Sequence, residues 1–230
     1  MNKVIATAEE AVADIPDGIT LMAGGFGLAG IPENLIAALV KRGIKGIHTI
    51  SNNVGTDGQG LGNLLEGGMI ASHIGTYVGE NKLMETMILA GTLKLTLIPQ
   101  GTFAERIRAA GAGIPAFYTP AGVGTLVAEG KETREFNGKQ YLLEHALPAD
   151  YAFVKAWKGD HHGNLVYRKT ARNFNPMMAA AARVTIAEVE ELVEPGQIEP
   201  DMVMTPGIYV KRIIKGAIYK KVIERRTVRS

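Results

Sequence analysis

Gly25-Phe26-Gly27-Leu28-Ala29-Gly30 has the spacing G-x-G-x-x-G, between an apolar run that reads as a strand and a periodic run that reads as a helix. Glycines at that spacing let a backbone turn tightly and approach a ligand, and the helix start offers unpaired N–H groups to a phosphate. Taken alone, the pattern suits NAD, a nucleotide or coenzyme A, and a purely structural turn is the bland alternative. Two features weigh against a dinucleotide. The acid expected after the second strand, to bind a ribose, is replaced by Ser51-Asn52-Asn53-Val54. Pro32 also follows Gly30 so closely that the helix must begin late, which makes the loop longer than a tight dinucleotide turn.

Other residues could do chemistry. Gly79-Glu80-Asn81 offers a carboxylate nucleophile in a loop, with a local ion pair or a helix cap as the structural alternative. Gln100 follows an apolar strand, where open α/β sheets place their sites, and a side-chain amide there could stabilise an oxyanion. Asn52 and Asn53, also at a strand end, either line the same crevice or form a plain turn. Asp160-His161-His162 suggests a metal at first sight, but adjacent histidines on a strand point apart and no third ligand follows at a recognisable spacing. A solvated turn is the better reading, and no metal site is expected there or at His48, His73 and His145. Arg172 and Asn173 suit either a phosphate or partner contact, or a helix N-terminus.

The elements that must position these residues alternate. Strands are expected at residues 19–23, 47–50, 69–72 and 94–98, and helices at 32–41, 82–90 and 102–110, with Pro32 in a first turn and Gly43 past a helix end. Such alternation implies a mostly parallel open sheet covered by helices, an α/β fold. In the second half, Asn137-Gly138 between alternating runs marks an antiparallel hairpin over residues 133–143. Strands at 151–156, 164–168 and 183–187 and a small-residue helix at 176–182 follow. With no internal repeat and no low-complexity linker, residues 1–230 read as a single domain carrying an antiparallel hairpin insertion.

The chain has 230 residues, 46% hydrophobic and 21% charged, with a formal charge of +2. That balance favours neither nucleic acid nor an anionic membrane as partner. The basic tail, about residues 217–230, lacks interleaved aromatics and reads as a solvated or subunit-contacting terminus. There is no cysteine, which removes disulfides, thiolate metal sites and a cysteine nucleophile. No apolar run approaches the roughly 18 residues that span a bilayer, and the start turns acidic at Glu9 too early for a secretory segment. A cytoplasmic location is expected.

Asp17-Gly18, Leu21-Met22-Ala23, Gly24-Gly25-Phe26, Gly30 and Pro32 together resemble the N-terminal signature of class I coenzyme A transferases. The likeness runs along nearly the whole chain, through Ser51-Asn52-Asn53, Tyr77-Val78-Gly79-Glu80-Asn81-Lys82, Pro99-Gln100-Gly101-Thr102, Gly111-Ala112-Gly113-Ile114-Pro115, Lys169-Thr170-Ala171-Arg172-Asn173-Phe174-Asn175-Pro176 and Pro206-Gly207-Ile208-Tyr209-Val210. These segments are similar to the family's A-type (α) half. Asn52-Asn53 and Tyr77–Asn81 are most like the succinyl-CoA:3-ketoacid branch, with the acetate/butyrate-acetoacetate branch next.

The resemblance implies a transferase with a coenzyme A thioester as substrate and no permanently bound cofactor. It implies a glutamate nucleophile carried by a partner B (β) subunit, so this chain alone is incomplete and Glu80 is not the nucleophile. An α2β2 assembly is the expected form. Gln100 becomes the candidate oxyanion or substrate support, and Gly24, Gly25, Phe26, Gly27, Leu28, Ala29 and Gly30 the candidate coenzyme A contact. An NAD-dependent oxidoreductase and a non-enzymatic nucleotide- or acyl-CoA-binding domain are the competing readings.

Overall fold

The computed structural model describes residues 1–217 and Tyr219; the basic run at residues 220–229 lies outside them. The main sheet holds β1 (Thr20–Ala23), β2 (Ile47–Ile50), β3 (Ile70–Gly75), β4 (Lys94–Leu97), β8 (Ala149–Asp160), β10 (Ala182–Val193) and β11 (Val210–Lys215). Their order across the sheet is β11-β10-β8-β1-β2-β3-β4, every neighbouring pair parallel, with β9 (Leu165–Val166) antiparallel on β8.

Both faces are covered. Along β1 the side chains alternate: Leu21 and Ala23 join one buried cluster, Met22 the other, as the two-residue period of a strand requires. The first cluster takes residues from α1 (Ala8–Ala11), α2 (Glu33–Arg42), α3 (Gly62–Glu66) and α4 (Lys82–Leu89). The second takes Phe103 and Ile107 from α5 (Gln100–Gly111) and Met178 and Ala179 from α6 (Asn175–Ala181). A sheet buried on both faces explains why Leu21-Met22-Ala23 of β1 is apolar without alternating.

Local signals are accurate where turn chemistry is strong. Pro32 stands at the N-cap of α2, and Gly43 closes it with φ 73° and an N–H bonded back to Leu39 and Val40, the left-handed closure that glycine favours. Asn137 (φ 52°) and Gly138 (φ 76°) turn β6 (Thr133–Phe136) into β7 (Lys139–His145), both in the positive-φ region that a two-residue hairpin needs. The insertion is larger than that hairpin, because β5 (Ala116–Thr119) adds a third antiparallel strand beside β7. All four residues of β5 are half-buried, so it has no polar–apolar alternation to betray it.

β11 has no clear sequence signal either. It is the last strand in the sheet order, its apolar Val210, Ile213 and Ile214 set among Lys211, Arg212 and Lys215. Residues 3–5 pair along its outer side, the Ile5 amide donating to the Ile213 carbonyl at 2.9 Å and the Ile213 amide to the Lys3 carbonyl at 3.0 Å. β8 and β10 each run 12 residues, well beyond the apolar segments that announce them.

Candidate functional site

On one side of β1 the sheet continues in chain order through β2, β3 and β4, whereas β8, β10 and β11 lie on its other side. The boundary between β8 and β1 is therefore a topological switch point, where open parallel sheets form a crevice beyond their carboxyl ends. Four segments leave that edge in sequence: the glycine loop after β1, Ser51-Asn52-Asn53 after β2, Thr76-Tyr77 after β3, and Pro99-Gln100 after β4.

Three of them meet. Asn52 Oδ1 accepts from Gln100 Nε2 at 3.0 Å and from Thr76 Oγ1 at 2.8 Å, while the Thr76 amide donates to the Asn52 carbonyl at 3.0 Å. Gln100 is exposed and is the first residue of α5, which starts two residues earlier than its apolar pattern suggests. Asn53 spends its Oδ1 on the Gly55 amide at 3.2 Å, which makes it partly a turn residue. Thr76 is the residue that sequence reasoning missed. The apolar pattern of its strand stops at Ser72, whereas β3 runs on to Gly75 and delivers Thr76 to the carboxyl edge.

The floor below Asn52 is tight. His73 is fully buried, with Nδ1 2.9 Å from the Thr49 hydroxyl and Nε2 without a partner among the described residues. Burial holds its pKa down at about 4, so the ring is neutral at pH 7. A Cβ on Gly75 would lie 2.5 Å from His73 Nε2 and 2.9 Å from the Ser51 carbonyl. Glycine at 75 is what lets β3 pass beneath the Asn52 turn.

The glycine loop is stapled from behind by a distant segment. Asn173 Oδ1 accepts from the Gly25 amide at 3.0 Å, and its Nδ2 donates to the Ala29 carbonyl at 2.9 Å. Asn175 Nδ2 donates to the Gly30 carbonyl at 3.1 Å, while its Oδ1 takes the Lys155 amide of β8. Close approach demands the glycines: a Cβ on Gly24 would sit 1.8 Å from Asn175 Oδ1, and one on Gly30 2.4 Å from the Ala171 carbonyl. Asn173 thus serves the loop directly, with a strained φ of 23°.

Phe26 and Ala29 exchange backbone hydrogen bonds, both 3.0 Å, so residues 26–29 form a tight hairpin. The Gly27 and Leu28 amides at its tip make no hydrogen bond among the described residues, and Phe26 is 52% exposed. The helix start behaves differently from the expectation. Glu188, on β10 and fully buried, accepts from the Leu35 amide at 3.0 Å and from Asn34 Nδ2 at 2.7 Å. A protein carboxylate occupies the first turn of α2, where a pyrophosphate would dock in a dinucleotide site. Burial raises the Glu188 pKa, opposed by those two donors.

Behind the loop lies a cavity of about 560 Å³, bordered by Leu28, Lys155, Trp157, Arg168 and Tyr219. Two of the three cations on its border, Lys155 and Arg168, lie 3.1 and 3.3 Å from the Glu190 carboxylate. Glu80 is exposed in the turn before α4, whose cap is Asn81, accepting from the Met84 amide at 2.8 Å. Asp160 gathers the His162 and Asn164 amides at 2.9 Å each. The Asp160-His161-His162 segment is a turn at the end of β8.

The model of the coenzyme A transferase family matches residues 5–216. The A-type subunit of succinyl-CoA:3-ketoacid coenzyme A transferase from Xanthomonas campestris is 60% identical over 228 residues, covering 99% of this chain and 94% of that one. The Helicobacter pylori protein of the same name is 55% identical over 230 residues, 100% of this chain and 99% of the other. Among solved structures, the acyl-CoA transferase YdiF of Escherichia coli O157:H7, as a thioester complex with CoA, superposes with a TM-score of 0.85 at 22% identity. That match covers 96% of this chain and 48% of YdiF, so the chain spans about half of that protein. Glutaconate coenzyme A-transferase from Acidaminococcus fermentans has a TM-score of 0.81 at 18% identity, over 93% of this chain and 75% of that one. These two structures speak for the fold and the two sequence relatives for descent. With the parallel sheet, its three-stranded insertion and full-length identity of this order, the chain belongs to the coenzyme A transferase family.

Proposed function

We propose that this chain is the A-type half of a succinyl-CoA:3-ketoacid coenzyme A transferase, moving coenzyme A between succinyl-CoA and acetoacetate or a similar 3-oxo acid. The observation that carries the reading is the joining of Asn52, Thr76 and Gln100 at the carboxyl edge, in a chain 55% identical over its whole length to a protein of that name. Residues 1–230 act as one domain, and a B subunit completes the site, in an α2β2 assembly located in the cytoplasm.

The reaction proceeds through covalent catalysis. The acyl-CoA thioester is attacked by a glutamate of the B subunit, giving a mixed anhydride and free coenzyme A thiolate. The thiolate attacks the glutamyl carbonyl and releases the first carboxylic acid, leaving an enzyme-glutamyl-CoA thioester. The acceptor carboxylate repeats the sequence in reverse. Each addition puts negative charge on an oxygen, and preorganised donors at that point lower the barrier most. Gln100 supplies such a donor, Asn52 and Asn53 line the crevice, and residues 24–30 meet coenzyme A through the open amides of Gly27 and Leu28 and the exposed Phe26 ring.

Assay of the chain alone and co-expressed with a B subunit tests this. No exchange is expected from the single chain, and succinyl-CoA to acetoacetate exchange from the pair. NAD binding without any response to acyl-CoA would overturn the reading.

A further inference from the structure

We propose that Asn173 is a positioning residue for acyl transfer: its carboxamide grips the entry and the exit of the glycine hairpin, and so holds the Gly27 and Leu28 amides ready for the coenzyme A portion of the thioester. The proposal rests on the reading of residues 24–30 as the coenzyme A contact.

The hairpin is stiff within itself and loose at its base. Phe26 and Ala29 exchange two backbone hydrogen bonds around Gly27 and Leu28. Of that pair only Gly27 has a positive φ, 56°, the pattern of a type II′ turn, in which the central peptide has one orientation. On either side stand Gly25 (φ 132°) and Gly30 (φ 73°), and glycines there let the whole hairpin swing as a body. Where its amides point is therefore decided by what holds the base.

Asn173 holds it at both ends. Its Oδ1 accepts from the Gly25 amide at 3.0 Å and from the Phe174 amide at 2.7 Å. Its Nδ2 donates to the Ala29 carbonyl at 2.9 Å and to the Thr170 carbonyl at 3.1 Å. Main-chain amides only donate and carbonyls only accept, so a flip of this carboxamide breaks all four bonds and its direction is fixed. The backbone is strained to make the grip, with φ 23° and ψ −121° at a residue that carries a Cβ. Such a conformation persists only where its surroundings impose it. Asn175 differs in kind. It is fully buried and takes the Lys155 amide of β8, whereas every described bond of the Asn173 side chain goes to the loop or to its own segment.

The tip gives the grip something to aim. Gly27 and Leu28 are buried between the exposed Phe26 and Ala29, and their amides bond to nothing among the described residues. Main-chain donors in buried residues are almost always paired, which leaves these two to a group from outside the chain. A loop that its ligand must order spends binding energy on the ordering, and a loop gripped beforehand does not. Coenzyme A is common to both thioesters of the exchange, so the grip acts on the use of both and of neither free acid.

The test uses the complex co-expressed with the B subunit, with KM read for succinyl-CoA, acetoacetyl-CoA, succinate and acetoacetate. Asn173→Gly removes the carboxamide and suits the backbone at φ 23°. It is expected to raise KM about 10-fold for both thioesters. The kcat and the KM of both acids should change by less than about threefold. Hydrogen exchange should quicken in peptides covering residues 24–30 and stay as in wild type in those covering β2 and β10. A merely structural asparagine would instead lower the active fraction, and with it kcat, at unchanged KM. Should Asn173→Gly fail to assemble, Asn173→Asp carries the same expectation, since it keeps the Gly25 and Phe174 bonds and loses the two that Nδ2 donates. Unchanged KM for either thioester, equal increases for thioesters and acids, or unaltered exchange in the loop overturns the proposal. An inactive wild-type complex would instead overturn the function on which it rests.

Discussion

Gln100 Nε2 donates to Asn52 Oδ1 at 3.0 Å, tying the first residue of α5 to the turn after β2 across the end of β3. The two residues are 48 positions apart, and the link holds Gln100 to a fixed place although the residue is exposed. Truncating Gln100 to alanine in the complex removes a donor and frees Asn52 together. A fall in kcat of about 10–10³-fold is expected, with a smaller change in KM. An unchanged kcat would remove Gln100 from the oxyanion role.

Glu80 sits in the turn ahead of α4, beside the Asn81 cap. Trapping the covalent intermediate in acyl-CoA-treated complex, followed by peptide mapping, is expected to label a glutamate of the B subunit. The peptide that contains Glu80 should stay unmodified. Label on Glu80 would move the nucleophile to this chain.

Gly24→Ala brings a methyl group to within 1.8 Å of Asn175 Oδ1. Either Asn175 leaves the Gly30 carbonyl and the Lys155 amide, or the loop shifts. A stability loss of about 2–3 kcal/mol is expected from denaturant midpoints. Gly43→Ala, at φ 73° with nothing within 4 Å, meets only backbone strain and should cost about 1 kcal/mol. Equal losses in the two variants would show that the staple is not what requires glycine at 24.

His73 carries a pKa of about 4 in the folded chain, depressed by burial from 6.5. Between those values the unfolded chain binds more protons, so the contribution is fully present above about pH 6.5 and is lost as pH falls toward 4. Going from pH 7 to pH 5 should therefore remove about 2 kcal/mol through this group. His73→Gln, which does not titrate, should show a drop smaller by about that amount when urea midpoints are compared at the two pH values. The same drop in both proteins would place the acid sensitivity elsewhere.

Much of the fold is legible because its signals are local. The strand β1 is an apolar run, β2 and β4 carry Ile47, Ile50, Leu95 and Leu97, Pro32 and Gly43 bracket α2, and Asn137-Gly138 forms a turn that few other pairs can make. The lengths of β8 and β10 are not legible, since their outer residues include Lys158, Asp160 and Glu191, which find charged or hydrogen-bonding partners at the sheet margin. β5 and β11 lack a pattern for different reasons: one is half-buried throughout, the other mixes Lys211, Arg212 and Lys215 among its apolar residues.

The sequence by itself determined the alternation of strand and helix, the family, and the candidates Asn52, Gln100 and residues 24–30, because each is written in neighbouring residues. Only the tertiary structure decided how they are used. Strand order brings Thr76 and Gln100 onto one amide oxygen. It also brings Asn173 to Gly25 from 148 residues away and Glu188 to Leu35 from 153. The glycine spacing suggested a phosphate cradle at a helix start, yet Gly24 and Gly30 make room for protein and a carboxylate fills the helix start. The reason is physical: a motif specifies which conformations a backbone can adopt, while the groups that arrive to satisfy its donors depend on which strands lie beside it.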